Sequence, residues 1–300
     1  MKPGDTTTST PGLSGNLACF LGLTLLFSGI AFALMLAGNT MGAAGGIVSY
    51  MLVAMWGPGL AAILTCRLRG VPLASLGWTL GPPRWAWLAY VLPLGYSLVA
   101  YVAVWLTGAG GFYNREKVAQ WATEFGWAGV PDGAVIVFSI LLLGSFGMLK
   151  ALNSALGEEI GWRGFLVPQL ARRWSYVGVS LWSGAIWAIY HWPALIFADY
   201  AGGAPLWFSL PCFSIMVVSL SFVLTWLRLR SGSLWPAAIL HASHNLFIQA
   251  IFQPLTVDTG HTAWFAGEAG VALAIVTTVV ALCVLVSVRD KRGYGPPKVS

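Results

Sequence analysis

Long apolar runs alternate with short polar breaks along the chain. Eight runs approach the roughly 20 residues a helix needs to cross a bilayer: 17–38, 42–66, 85–107, 134–156, 178–198, 206–228, 234–253 and 264–288. The seventh is the most polar, holding His241, His244 and Asn245, and Lys150 interrupts the fourth near its end. The pattern predicts an all-α, polytopic membrane protein of about eight transmembrane helices around an intramembrane polar cavity. One transmembrane domain covers 16–288, with no internal repeat. Residues 1–15, rich in Ser, Thr, Gly and Pro, read as a disordered tail, and 289–300 as a second tail. The first run is too long for a signal-peptide core and lacks a small-residue cleavage site, so it reads as an uncleaved span. The break at 108–133 carries charges with aromatics between them and predicts a short interfacial helix.

Composition excludes a soluble protein: 57% of residues are hydrophobic and 9% charged, against about 25% charged in soluble domains. The net charge of +6 does not imply nucleic acid, because the basic residues sit between apolar spans. With eight spans, 14 of the 16 Lys and Arg fall on one side and only Arg115 and Lys117 on the other. The positive-inside rule then puts both termini in the cytoplasm of a multi-pass cell-membrane protein. The four cysteines, Cys19, Cys66, Cys212 and Cys283, form no CxxC pair. They read as small apolar filler.

Ionisable groups at membrane depth are costly, so each is a functional candidate. In Gly157-Glu158-Glu159-Ile160-Gly161-Trp162-Arg163, a helix places Glu159 and Arg163 at i and i+4, able to pair. Glu158 then points about 100° away. The bland alternative is a surface salt bridge at a cytoplasmic helix end. In Trp187-Ala188-Ile189-Tyr190-His191, Trp187 lies one turn before His191 and can pack on the imidazole; here the alternative is a core histidine. In His241-Ala242-Ser243-His244-Asn245, His241 and Asn245 share a face, and the alternative is interhelical hydrogen bonding.

Buried polar groups need partners, and the simplest partners are one another, around a water-filled cavity open to the cytoplasm. Glu158 with His191 is then placed to hold and deprotonate a water, and His241 with Asn245 to donate to an oxyanion. That is acyl hydrolysis without a covalent intermediate; neither GxSxG nor HExxH is present. A zinc ion, if bound, would be held by Glu158, His191 and His241, but the metal-free version needs fewer assumptions. A non-catalytic scaffold and a proton-coupled transporter are the competing readings.

The order EExxxR, aromatic-xxxH, HxxxN resembles the CPBP group, which unites type II CAAX prenyl endopeptidases with bacteriocin-processing and immunity (Abi) proteins. The first motif is similar over Glu158–Leu166. Trp187 stands where the family usually has Phe, with His191 in place, and His241 and Asn245 match the third motif. The resemblance covers about residues 150–250. It implies an eight-helix intramembrane endopeptidase acting near the cytoplasmic side on membrane-associated or prenylated peptides. Glu158, His191, His241 and Asn245 would be catalytic, with Glu159, Arg163, Trp187 and His244 in support.

Overall fold

Prolines and glycines cut the apolar runs into helices. Pro83 opens one helix and Pro236 sits in the first turn of another, where a missing N–H costs nothing. Gly232 ends a third in the left-handed region, at φ 70°, its N–H bonded to the Arg228 carbonyl at 3.1 Å. The computed structural model describes residues 12–37, 44–197 and 203–290. They form α1 (Leu13–Ala37), α2 (Ala44–Arg69), α3 (Pro83–Leu106), α4 (Arg115–Glu124) and α5 (Asp132–Ala171). The chain continues with α6 (Tyr176–Phe197), α7 (Leu206–Ser231), α8 (Trp235–Asn245, prolonged by a π-helical stretch Leu246–Phe252), α9 (Thr262–Phe265) and α10 (Val271–Asp290). Most of residues 1–15 and of the 289–300 tail lie outside the described residues.

This is an all-α polytopic membrane protein. Five described helices, α1, α3, α5, α7 and α10, are long and apolar enough to cross a membrane. Helices α2, α6 and α8 stand among them: α2 packs on α1 and α5, α6 on α7, and α8 on α3 and α5. The outward sides of the spanning helices are apolar; Leu25 on α1, Leu141 and Phe146 on α5 and Leu282 on α10 are all exposed. The interfacial helix expected within 108–133 is α4, whose first turn is capped by Asn114 Oδ1 accepting from the Lys117 N–H at 3.1 Å.

The bundle has two distinct ends. At one, a short ribbon pairs Gly111 with Val257 and Phe112 with Thr256. Trp105 Nε1 donates to Thr256 Oγ1 at 2.9 Å, and Trp264 stacks near Trp207 and Phe208. At the other, the 3₁₀ turn Leu73–Leu76 tucks under the helices. Arg228 donates from Nε to the Arg163 carbonyl at 2.8 Å and from Nη2 to the Ser75 carbonyl at 3.1 Å. Gly77, at φ 87°, lies so close that a Cβ there would sit 2.9 Å from the Arg228 guanidinium carbon.

Two boundaries differ from expectation: the eighth run begins its helix at Val271 rather than 264, and the fourth run does not end where charge appears. The fourth run was predicted to span 134–156 and then leave the membrane, whereas α5 runs unbroken over Asp132–Ala171. At 1.5 Å per residue it is about 60 Å long. Its charged residues do not end it, because Glu158, Glu159 and Arg163 find partners inside the bundle. Lys150 and Arg163 are therefore helix residues and drop out of the charge count between loops.

Candidate active site

The first cluster sits where α2 and α5 touch closely. Gly157 and Gly161, one turn apart, let the α2 backbone approach: a Cβ at Gly157 would lie 2.6 Å from the Met55 carbonyl oxygen, and one at Gly161 would lie 2.5 Å from Pro58 Cβ. The helix widens into a π-helical stretch over Ile160–Leu166; such bulges often mark functional sites. Two neighbouring carboxylates are thereby sent to different surroundings.

Glu159 faces inward and is fully buried. Its Oε1 accepts from Arg163 Nη1 at 2.8 Å and from His241 Nδ1 at 2.9 Å. Arg163, equally buried, also donates to Ser221 Oγ at 3.1 Å and lies over the Trp187 ring at 4.2 Å. The predicted Glu159–Arg163 pair is present, but as a buried knot joining four helices rather than a surface bridge.

Glu158 takes another set of partners. Its Oε2 accepts two indole N–H groups, from Trp162 at 2.9 Å and Trp187 at 2.6 Å. Its Oε1 lies 3.7 Å from His191 Nε2, too far for a direct hydrogen bond and suited to a bridging water. His191 Nδ1 donates to the Trp187 carbonyl at 3.0 Å, which leaves the Nε2 lone pair toward Glu158 in the neutral ring. Trp187 meets His191 edge-on at 5.9 Å, as anticipated, and also packs on His241 at 5.1 Å.

On α8 the Glu159 contact through Nδ1 turns His241 Nε2 away from the knot. Asn245 is half-buried one turn further on. His244 belongs to a separate group, in which Tyr96 Oη lies 2.6 Å from its Nδ1 and Glu268 Oε1 is 3.3 Å from its Nε2.

Glu158, Trp187, His191, His241, His244, Asn245 and Glu268 border one cavity of about 570 Å³, while Glu159 and Arg163 lie outside its lining. On each helix the lining residues lie to one side of a deepest residue. On α5 the deepest is Glu158, and Ser154, Lys150, Gly147 and Leu143 follow toward Asp132. On α6 it is Trp187, followed by His191 and Ala194 toward Phe197. On α7 it is Leu220, with Val217 and Phe213 toward Leu206, and on α8 it is His241, with Asn245 and Gln249 toward Phe252. The cavity is thus a well with the motif residues at its floor. Glu268, from the loop after α9, stands at the mouth.

The floor is closed. Trp162, Arg163, Phe165, Leu166, Leu76 and Leu234 are each 1% exposed or less. This bears on two expectations. Lys150 does not lie at the cytoplasmic end of a span but on the well wall, between Glu158 and the mouth. A well open to the cytoplasm also conflicts with cytoplasmic termini, because the well opens at the end opposite the basic loops.

Sequence patterns bring together Glu158, Glu159, Arg163, Trp187, His191, His241 and Asn245. They miss Trp162, Tyr96, Ser221 and Glu268. Trp162 is one turn after Glu158, a spacing from which the contact could have been read. Glu268 carried no signal, since it reaches the well only through the fold. As for a metal, no group of three His, Cys, Asp or Glu side chains suited to hold an ion occurs among the described residues.

Residues 133–247, from the start of α5 to just past Asn245, match the family model described as "Type II CAAX prenyl endopeptidase Rce1-like". That segment, about a third of the chain, is similar to the type II CAAX prenyl endopeptidases of the CPBP group. A curated relative, CAAX prenyl protease 2 of Methanococcus maripaludis, is 27% identical over 136 residues, which are 43% of this chain and 45% of the relative. The chain thus spans less than half the length of that relative. All three motifs fall inside the matched segment, and α1 to α4, α9 and α10 lie outside it.

Proposed function

We propose that this chain is a metal-free intramembrane endopeptidase of membrane-associated peptides. The observation that carries this is the pairing of Glu158 Oε1 with His191 Nε2 at 3.7 Å on the floor of a well. A water between them loses a proton to Glu158 as its oxygen attacks the scissile carbonyl carbon. The two indole donors hold the carboxylate still, and the Trp187 carbonyl fixes the imidazole. The oxyanion accepts hydrogen bonds from Asn245 Nδ2 and, with its ring doubly protonated, from His241 Nε2. The proton passes to the leaving amine as the C–N bond breaks, and Glu158 returns to its starting state. Glu159 orients His241 and does not touch the reacting atoms. Both termini face the cytoplasm in this reading, following the basic loops.

The test uses purified full-length protein and a panel of quenched-fluorescent peptides, prenylated and plain. Wild type cleaves at least one. Glu158→Gln and His191→Ala lower the rate by about 10²- to 10⁴-fold with unchanged melting temperature. Chelator leaves the rate unchanged. Equal behaviour of wild type and both variants sinks the protease reading in favour of a scaffold, and loss of activity to chelator sinks the metal-free step.

A further inference from the structure

The well is one-sided, and the charge on the chain tells the two sides apart. Every lining residue on α5, α6, α7 and α8 lies between the motif residues and the end that carries α4, α9 and the ribbon. The opposite end is shut by Leu76, Leu234 and the Arg228 hydrogen bonds to the Arg163 and Ser75 carbonyls. Among the described residues, eight Lys and Arg stand at the closed end: Arg67, Arg69, Arg84, Arg172, Arg173, Arg228, Arg230 and Arg289. Among the same residues, Arg115 and Lys117 stand between spans at the open end, and Lys150 on the well wall within the span. Acids run the other way: Glu116, Glu124, Asp132, Asp258 and Glu268 are at the open end, and Asp290 alone at the closed one. Lys and Arg near span ends remain on the cytoplasmic side.

We infer that the site is served from the non-cytoplasmic face of the membrane, and that its substrate is a segment of an exported or membrane-inserted polypeptide entering from that face. A lipidated tail made in the cytosol would have to cross the packed floor. From Glu158 to Leu143 the well wall covers 15 residues of α5, about 22 Å, which accommodates roughly seven residues of extended chain. Its wall is mostly apolar and carries charges of both signs, Lys150 on α5 and Glu268 at the mouth, a lining that fits an apolar peptide segment with polar backbone. A second pocket of about 400 Å³ shares Gln249 and Glu268 with the well and extends it past the mouth on the same face.

The word substrate rests on the proposed peptidase reading; the direction of access does not, and two measurements separate them. In a full-length background with the four cysteines replaced by serine, Gln249→Cys reports the mouth and Arg173→Cys the closed end. A membrane-impermeant maleimide is applied to intact cells and to inverted vesicles. Gln249→Cys should label in cells, and Arg173→Cys only in inverted vesicles. Labelling of Gln249→Cys only from the vesicle side overturns the inference. Equal labelling of it from both faces does so too, since the floor would then be open. The second measurement places a cleavable quenched-fluorescent peptide outside cells, or outside inverted vesicles, carrying the wild-type chain. Cleavage should occur only in cells and be lost in Glu158→Gln. Cleavage confined to inverted vesicles overturns the inference. The expected labelling with no cleavage in either preparation upholds the access route and sinks the peptidase reading.

Discussion

The closed end and the open end of the well are built from the same helices but solve opposite problems. At the closed end, charge is consumed by structure: Arg163 is paired to Glu159, and Arg228 caps backbone carbonyls. At the open end, polar groups line free volume: Lys150 and Gln249 are exposed on the wall, and Glu268 stands beside His244. A buried ion pair loses its compensation when one partner is removed, whereas a group near water exchanges one hydrogen bond for another. The two ends should therefore answer mutation very differently.

Arg163→Leu gives the largest effect. It strands the buried Glu159 carboxylate with only His241 as partner and removes the cation over Trp187. The expected loss is about 3–5 kcal/mol, read by thermal or denaturant unfolding in detergent. A stability within error of wild type would show that the floor is not held by this pair. Gly161→Ala comes next. Its new Cβ would meet the Pro58 Cβ at 2.5 Å and the Pro58 carbonyl carbon at 2.7 Å, so α2 and α5 must separate. Overpacking of this kind costs about 1–3 kcal/mol, and an unchanged melting temperature would mean that the two helices slide freely. Glu268→Gln at the mouth gives the smallest effect. The amide can still accept from Gln249 Nε2, now at 2.9 Å from Oε1, and water can replace the rest. The expected change is about 1 kcal/mol or less. A loss as large as that of Arg163→Leu would place Glu268 in the structural framework and erase the contrast between the ends.

Helix α5 illustrates how far patterns reach. Apolar runs located the helices, and the spacing of Glu159 and Arg163 told that they pair. The same reading ended the span at 156, because charged residues look like a helix end when their partners are on other helices. Ser221 is 58 positions from Arg163, and His241 is 82 from Glu159; no local period links such positions. Glu158 was singled out correctly as the carboxylate free of Arg163, since one residue of helical rotation suffices to separate it. Its two indole donors come from one local neighbour, Trp162, and one distant one, Trp187, and only the first was within reach of a spacing argument.

By itself the sequence determined the membrane class, the approximate spans, the family motifs and which end of the bundle is basic. These follow from composition and short-range periodicity, which each segment carries alone. Only the tertiary structure decided that Arg163 is core rather than surface, that Tyr96 and Glu268 join His244, and that the well opens away from the basic loops. Those facts depend on which helix faces share a volume. That is settled by close approaches such as Gly157 and Gly161 on α2, and by hydrogen bonds that must be satisfied collectively where water is absent.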